Sequence, residues 1–455
     1  MRAFGFVKKN YVTFIFLFSL IIGLAIFKRL KSDPADLNRP NIIILSFCSL
    51  RQSDLENSPE LRKLSGESYV FKNVFARHSW VNLFQYVYKE LNPQFFKKRG
   101  YDLLSDHADW PFFSVPAGVD SAENYKDLGE KFNLNFKSSL GLIKQLLSGP
   151  HLRPFYTFIQ FKYMHYPLID NLNKDQNWAY FLTSEEKKYT ENILNFPEKY
   201  KKKLPFILML TGKSKYINFD KQLNNSHLAK AELFLKQYSI FNDREYLIPW
   251  MSEPSYKIDL RILHQVYRAK LRYLTKNIDD LLNLYNIEDL KKNSILIIVG
   301  DHGESLMEHD TLGHSFNVFD ETLHVPLMIK LPDQVQNKII NDQIFAGSLG
   351  QFIREVVNGE SVSEARINNL ILSSDNDNII LRNCNKTEFG MRSKNHWKFI
   401  MSPTNQNNQL FDLTVDPLEK NNVSSFHPEI AAKMRLVLNN HLSDLNQVSS
   451  VSRCQ

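Results

Sequence analysis

The sequence predicts an α/β fold with a mainly parallel central sheet, helices on both faces and a small C-terminal α+β subdomain. Three observations predict it. The apolar run Ile295-Leu296-Ile297-Ile298-Val299 has the composition of a buried parallel strand, and it stops at Gly300-Asp301-His302-Gly303-Glu304. Upstream, Leu260, Leu263, Tyr267, Leu271, Leu274, Ile278 and Leu281 recur at three and four, the spacing of one helical face. Further apolar runs at 41–45 and Phe155–Phe161 supply more buried strands. Strands alternating with helices in this way build a parallel sheet wound on both sides.

The elements follow in chain order. Residues 1–10 form a short tail. Residues 11–27, YVTFIFLFSLIIGLAIF, carry no charge. As a helix they reach roughly 25 Å, enough for a thin bilayer. Lys8 and Lys9 precede the run, and Lys28, Arg29 and Lys31 follow it. No small-x-small cleavage site stands before the basic cluster, so an uncleaved transmembrane signal anchor is expected. Residues 28–39 read as a polar linker, and 40–365 as the main α/β domain.

Within that domain, Ser58-Pro59-Glu60 opens a helix with serine at the N-cap. Tyr69–Phe75 reads as a strand. Residues 171–256 are rich in lysine, asparagine and aromatics, and are expected to be an insertion that covers or extends the site. Residues 366–442 read as a second unit, with short strands at 370–372 and 378–381 and a helix at 428–442. Residues 443–455 form a tail.

The 455 residues are 43% hydrophobic, ample for a large core, and the formal net charge is +7. That charge suits a solvated lysine-rich surface, or attraction to anionic esters or lipid. No nucleic-acid module is present, and no oligomer signature is read. The cysteines, Cys48, Cys384 and Cys454, show neither metal-knuckle spacing nor a disulfide framework.

A carboxylate beside an imidazole at the carboxyl end of a buried strand is where α/β folds place ligands and metals. Asp301 and His302 are therefore metal candidates. The two glycines around them are expected to allow a sharp turn. The run Asp301-His302-Gly303-Glu304, then Gly313-His314, then Asp320-Glu321-Thr322-Leu323-His324-Val325-Pro326-Leu327 resembles the sulfatase family of the alkaline-phosphatase superfamily. The opening Arg39-Pro40-Asn41 and its apolar strand, with Leu50-Arg51 after it, resembles the same family. So does the C-terminal series Trp397-Lys398, Gln409-Leu410-Phe411-Asp412-Leu413 and Asp416-Pro417 with Glu419 and Asn422.

The resemblance implies a hydrolase of sulfuric or phosphoric esters that uses a divalent metal. It implies a main domain outside the cytoplasm on a single-pass membrane anchor. It also implies that His165, in Tyr163-Met164-His165-Tyr166-Pro167, contacts the oxyanion or leaving group, and that His314 is a second cationic donor to the ester.

Two departures stand against that implication. The family's metal-binding Asp falls on Cys48, and its frequent acidic neighbour falls on Ser49. The nucleophile falls on Val81, with Leu83 and Gln85 in place of its Pro and Arg. Valine forms no covalent ester intermediate. Three readings follow. The first is a catalytically degenerate homologue that binds an anionic ester, as a small molecule or glycan, through Asp301, His302, His165 and His314. The second is an active metal-dependent hydrolase with an atypical ligand set including Cys48. The third is a membrane-tethered scaffold with Val81 and Phe84 filling the old cleft. The metal would be Ca²⁺, Mg²⁺, Mn²⁺ or Zn²⁺, or none. A thiolate at Cys48 suits Zn²⁺, and a buried small hydrophobe is the plainer role.

Overall fold

The computed structural model describes residues 39–78, 91–104, 112–115, 136–149, 151, 153–164, 168, 182–212, 242–285, 288–373, 377–384, 387–402 and 408–446. The expected anchor at 11–27 lies outside the described residues. Among those described, no helix is long and apolar enough to cross a membrane.

Ten strands share the main body. In chain order, β1 (Asn41–Phe47), β2 (Tyr69–Phe75), β3 (Asp102–Leu103), β4 (Phe112–Val115), β5 (Phe155–Phe161) and β6 (Ser294–Gly300) are followed by a two-stranded ribbon, β7 (Ser305–Leu306) and β8 (Leu312–Gly313). Then come β9 (His324–Lys330) and β10 (Lys338–Phe345). Eight of them form one sheet in the order β10-β2-β9-β6-β1-β5-β3, with β4 also paired to β5. Only β9 runs against the others, so the sheet is mainly parallel, as the sequence predicts.

Alternation along β1 assigns its two faces. Ile43, Leu45 and Phe47 pack with Leu263, Tyr267, Leu271, Leu274 and Ile278 of the helix Tyr256–Tyr285. Ile42 and Ile44 join Phe352, Ile353, Val356 and Val357 of the helix Leu349–Val357 on the other side. Burying each such side chain contributes about 1.5–3 kcal/mol, so the helical stripe read in the sequence is what holds the sheet's first face. Ser58 caps the helix Pro59–Ser65, with Oγ accepting the Leu61 N–H at 3.2 Å.

The 370–372 run is not a strand. It lies in the helix Glu364–Ser373, and Ile367 and Leu370 pack into the core of the larger sheet. A three-residue apolar run fits either period, and here the three-residue step from Ile367 to Leu370 decided it.

Within 171–256, the described helices are Ser184–Asn195, Leu204–Thr211 and Arg244–Met251. Every residue of PFILMLT in the middle one is buried. Asp259, on the long helix, ties this region down. Its carboxylate accepts from Tyr189 Oη (2.6 Å), Trp250 Nε1 (2.8 Å) and Lys203 Nζ (3.2 Å).

A second sheet is antiparallel, β11 (Asn378–Arg382), β12 (Phe389–Ser393), β13 (Trp397–Met401) and β14 (Gln409–Asp412), and the helix Pro428–Asn446 covers it. It meets the main body through Ile379, Leu381, Ile400 and Phe411 packed on Phe75, Val318 and Leu323. A buried charge cluster seals that junction. Asp320 accepts from Arg392 and Lys398, each at 2.7 Å, and Lys398 also pairs with Glu419. The two cations hold the Asp320 carboxyl well below its usual range despite burial. Cys384 is disulfide-bonded, a single bridge that the cysteine spacing does not announce, and among the described residues Cys48 is the free cysteine.

Two stability predictions follow from this junction. Lys398→Met leaves buried Glu419 without its cation and Asp320 with Arg392 alone, and should cost about 3–5 kcal/mol in urea unfolding; a loss under 1 kcal/mol would contradict the cluster's role. Glu388 has a carboxyl oxygen, Oε2, that is enclosed and without a hydrogen bond, and burial pushes its pKa up to about 7. A raised carboxyl favours folding below its unfolded value and loses that contribution as pH rises through the folded one. Glu388→Gln should therefore be more stable than the native chain at pH 8 by about 1–2 kcal/mol, with the gap closing toward pH 5.

Candidate active site

The carboxyl ends of β1 and β6 meet side by side. Their ladder continues past both strands: the Cys48 N–H donates to the Phe161 carbonyl and the Asp301 N–H to the Phe47 carbonyl, each at 3.0 Å. This places Cys48 directly beside Asp301 and His302. Ser49 follows in a left-handed conformation (φ 60), fully buried, and its carbonyl accepts the Tyr267 hydroxyl at 2.7 Å. A non-glycine residue held there costs roughly 1–3 kcal/mol, which tertiary contacts must offset.

Gly300 and Gly303 are needed for closeness, and neither has a positive φ. A Cβ on Gly300 would lie 2.8 Å from the Leu50 carbonyl oxygen, and one on Gly303 only 2.1 Å from that of Glu321. The expected sharp turn is instead a tight seam between the motif loop and the segment Asp320–Leu323.

Asp301 is 2% exposed. Its Oδ1 accepts the His302 N–H and its Oδ2 accepts Gln160 Nε2 from β5, both at 2.9 Å. Burial raises its pKa, against the opposing pull of His302 and Gln160. His302 donates from Nδ1 to the Gly303 carbonyl at 2.8 Å. That bond leaves the Nε2 lone pair facing Cys48 Sγ at 3.3 Å. Burial, then the charges of Asp301 and Glu304, pushes the Cys48 thiol up, so it is the neutral S–H that donates to His302.

His314 lies over His302, with ring centroids 4.2 Å apart. Its Nδ1 is 3.3 Å from both carboxylate oxygens of buried Glu304. Burial and the neighbouring His302 drive its pKa well below the ordinary value. A standing positive charge there, as the resemblance implies, does not suit this setting; the ring is neutral, with Nδ1 toward Glu304.

Cys48, Asp301, His302 and His314 thus come together. His165 lies outside the described residues, as do Val81, Leu83, Phe84 and Gln85. Two partners went unread in the sequence. Gln160 is the one amide near the end of a wholly buried strand, which is the available signal. Glu304 belonged to the motif but had been given no role.

The sulfatase family model matches residues 86–349, more than half of the chain. The chain belongs to the sulfatase family. It is similar to arylsulfatase K of Canis lupus familiaris, 30% identical over 178 residues, covering 33% of this chain and 32% of that protein. Arylsulfatase K of Homo sapiens is 27% identical over 197 residues, covering 38% and 36%. The matches therefore span about a third of the length of these curated relatives. Among solved structures, a protein in complex with its substrate D-glucosamine-2-N,6-O-disulfate superposes with a TM-score of 0.59 at 13% identity, over 90% of this chain and 98% of that one. The phosphonate monoester hydrolase of Agrobacterium radiobacter gives 0.55 at 13% identity, over 90% and 96%. Both likenesses concern the fold.

Sulfatase-family members generally use a divalent ion, so the donor set was tested against one. Sγ of Cys48, a carboxylate oxygen of Asp301 and a ring nitrogen of His302 lie within 4.8 Å of one another, all buried. Ca²⁺ takes six to eight oxygens and Mg²⁺ a near-octahedral oxygen shell. One carboxylate, one thiol and one imidazole do not fit such an ion.

The seam at Gly303 is directly testable. Gly303→Ala should destabilise the chain by about 2–3 kcal/mol, because the clash is with backbone and only a shift of the loop relieves it. A thermal unfolding midpoint unchanged from the native chain would show that the seam yields freely.

Proposed function

We propose that this sulfatase-family chain is a membrane-anchored, extracytoplasmic protein that binds an anionic sulfate or phosphate ester and has lost covalent ester hydrolysis. The observation that carries this is Cys48, seated at the end of β1 where the family pattern puts an acidic ligand, and bonded to His302 instead. The sequence register supports it by placing Val81 at the nucleophile position. The uncharged run at 11–27 supports the anchor. The disulfide at Cys384 supports an oxidising compartment.

In this reading the chain's own groups bind rather than cut. Asp301 and His302 form the floor of the cleft, and the His314 ring stacks over His302. His165 is assigned to the ester oxygens by the family pattern in the sequence alone. A divalent ion, where bound, would neutralise ester charge, with Asp301, His302 and Cys48 as its holders. The ligand class is a sulfated sugar: one neighbouring structure holds a disulfated glucosamine, and a relative from Bacteroides thetaiotaomicron is named N-acetylgalactosamine-6-O-sulfatase.

A second reading, an active hydrolase with an atypical ligand set, is favoured by the convergence of the three donor atoms. Calorimetry of the full chain with a 6-O-sulfated glucosamine oligosaccharide, run beside aryl sulfate and aryl phosphate turnover, separates the two. Binding without turnover is expected, weakened about tenfold in His314→Ala because the ring stacked on His302 and held by Glu304 is lost from the cleft wall. Turnover that disappears in Asp301→Ala would overturn the loss of chemistry in favour of the second reading.

A further inference from the structure

We propose that Cys48, Asp301 and His302 form a binding site for a thiophilic divalent cation of the zinc class, replacing the family's hard-cation site. The proposal rests on reading this pocket as the ester cleft of a sulfatase fold, but its test uses no ester.

Distance is the first argument. Cys48 Sγ and His302 Nε2 are 3.3 Å apart, and His302 Nε2 and Asp301 Oδ1 are 3.9 Å apart. Zn–S bonds of about 2.3 Å and Zn–N bonds of about 2.0 Å at a tetrahedral angle set an S···N edge of about 3.5 Å. The corresponding N···O edge is about 3.3 Å. The pocket already holds the first edge to within a few tenths of an ångström, and the second needs a closure of about half an ångström.

Orientation is the second. A metal-bound histidine donates its other ring N–H to a carbonyl or carboxylate, which fixes the tautomer. His302 does this to the Gly303 carbonyl at 2.8 Å, and so turns its Nε2 lone pair to the thiol. Asp301 is steadied in the same manner, with Gln160 Nε2 on Oδ2. Each nearby partner thus holds a donor group through an atom other than the one offered to the cluster.

Chemical selection is the third. A thiolate favours zinc-class ions, whereas Mg²⁺ and Ca²⁺ demand oxygen. The described residues supply three donors, and an ester oxygen can complete a tetrahedral set.

The test uses the full chain. Purified without chelator, it should carry about one zinc by elemental analysis, as a single tetrahedral site requires. After chelation, titration with Co²⁺ alone should give a near-ultraviolet thiolate-to-cobalt charge-transfer band. Cys48→Ser should abolish that band and weaken zinc binding about tenfold or more, with folding checked by circular dichroism. A folded native chain with neither zinc nor the cobalt band overturns the site, as does Cys48→Ser binding zinc as tightly or a native preference for Ca²⁺ over zinc. Should the variant not fold, the native cobalt spectrum decides, because Cys48 is the free cysteine. Zinc retained with no sulfated-sugar binding would sink the ester reading and leave this one standing. Sugar bound with no affinity for zinc would do the reverse.

Discussion

The parallel pairing of β1 with β6 is the constraint on which the site depends. Cys48 and His302 are 254 residues apart, and nothing local brings them together. The ladder from Asn41↔Ser294 to Phe47↔Gly300 does so, register by register. A slip of one residue would turn Ile43, Leu45 and Phe47 away from the long helix and toward the opposite core. The apolar faces of β1 therefore fix the position of a polar cluster that contributes nothing to their burial. At the carboxyl end of the ladder both strands are over-determined: β1 by the Tyr267 hydroxyl holding Ser49, and β6 by the close seam at Gly303.

Much of the sheet was legible because its central strands are long, continuous apolar runs, and because the long helix carries its stripe over many turns. The short run at 370–372 was ambiguous for the opposite reason: three apolar residues define no period. The glycines were recognisable as special, but their cause was not, since Glu321 approaches Gly303 through tertiary packing alone. The same holds for Cys384, whose pairing is a matter of space rather than spacing.

In the site, residue identity could be read and hydrogen-bond direction could not. The motif named Asp301, His302 and His314, and the strand alignment named Cys48. What remained hidden was which His302 nitrogen carries the proton. That follows from the Gly303 carbonyl, and it decides whether the ring offers the thiol a lone pair or an N–H. Gln160 was hidden in the same way: a lone amide in a buried strand says that a partner exists and does not say which.

The free thiol of Cys48 has a consequence for how the chain matures. Three cysteines permit three pairings, and the one that spares Cys48 leaves the cleft intact. If the chain oxidises while folding, a thiolate reaching Cys48 would trap the wrong isomer. Its place on the central strand is a kinetic safeguard. Once β5 and β6 close on β1, Cys48 is only 5% exposed and a scrambling nucleophile has little approach to it. Sheet closure must then outrun oxidation, and a chaperone or isomerase that delays pairing would raise the yield of correctly bridged protein.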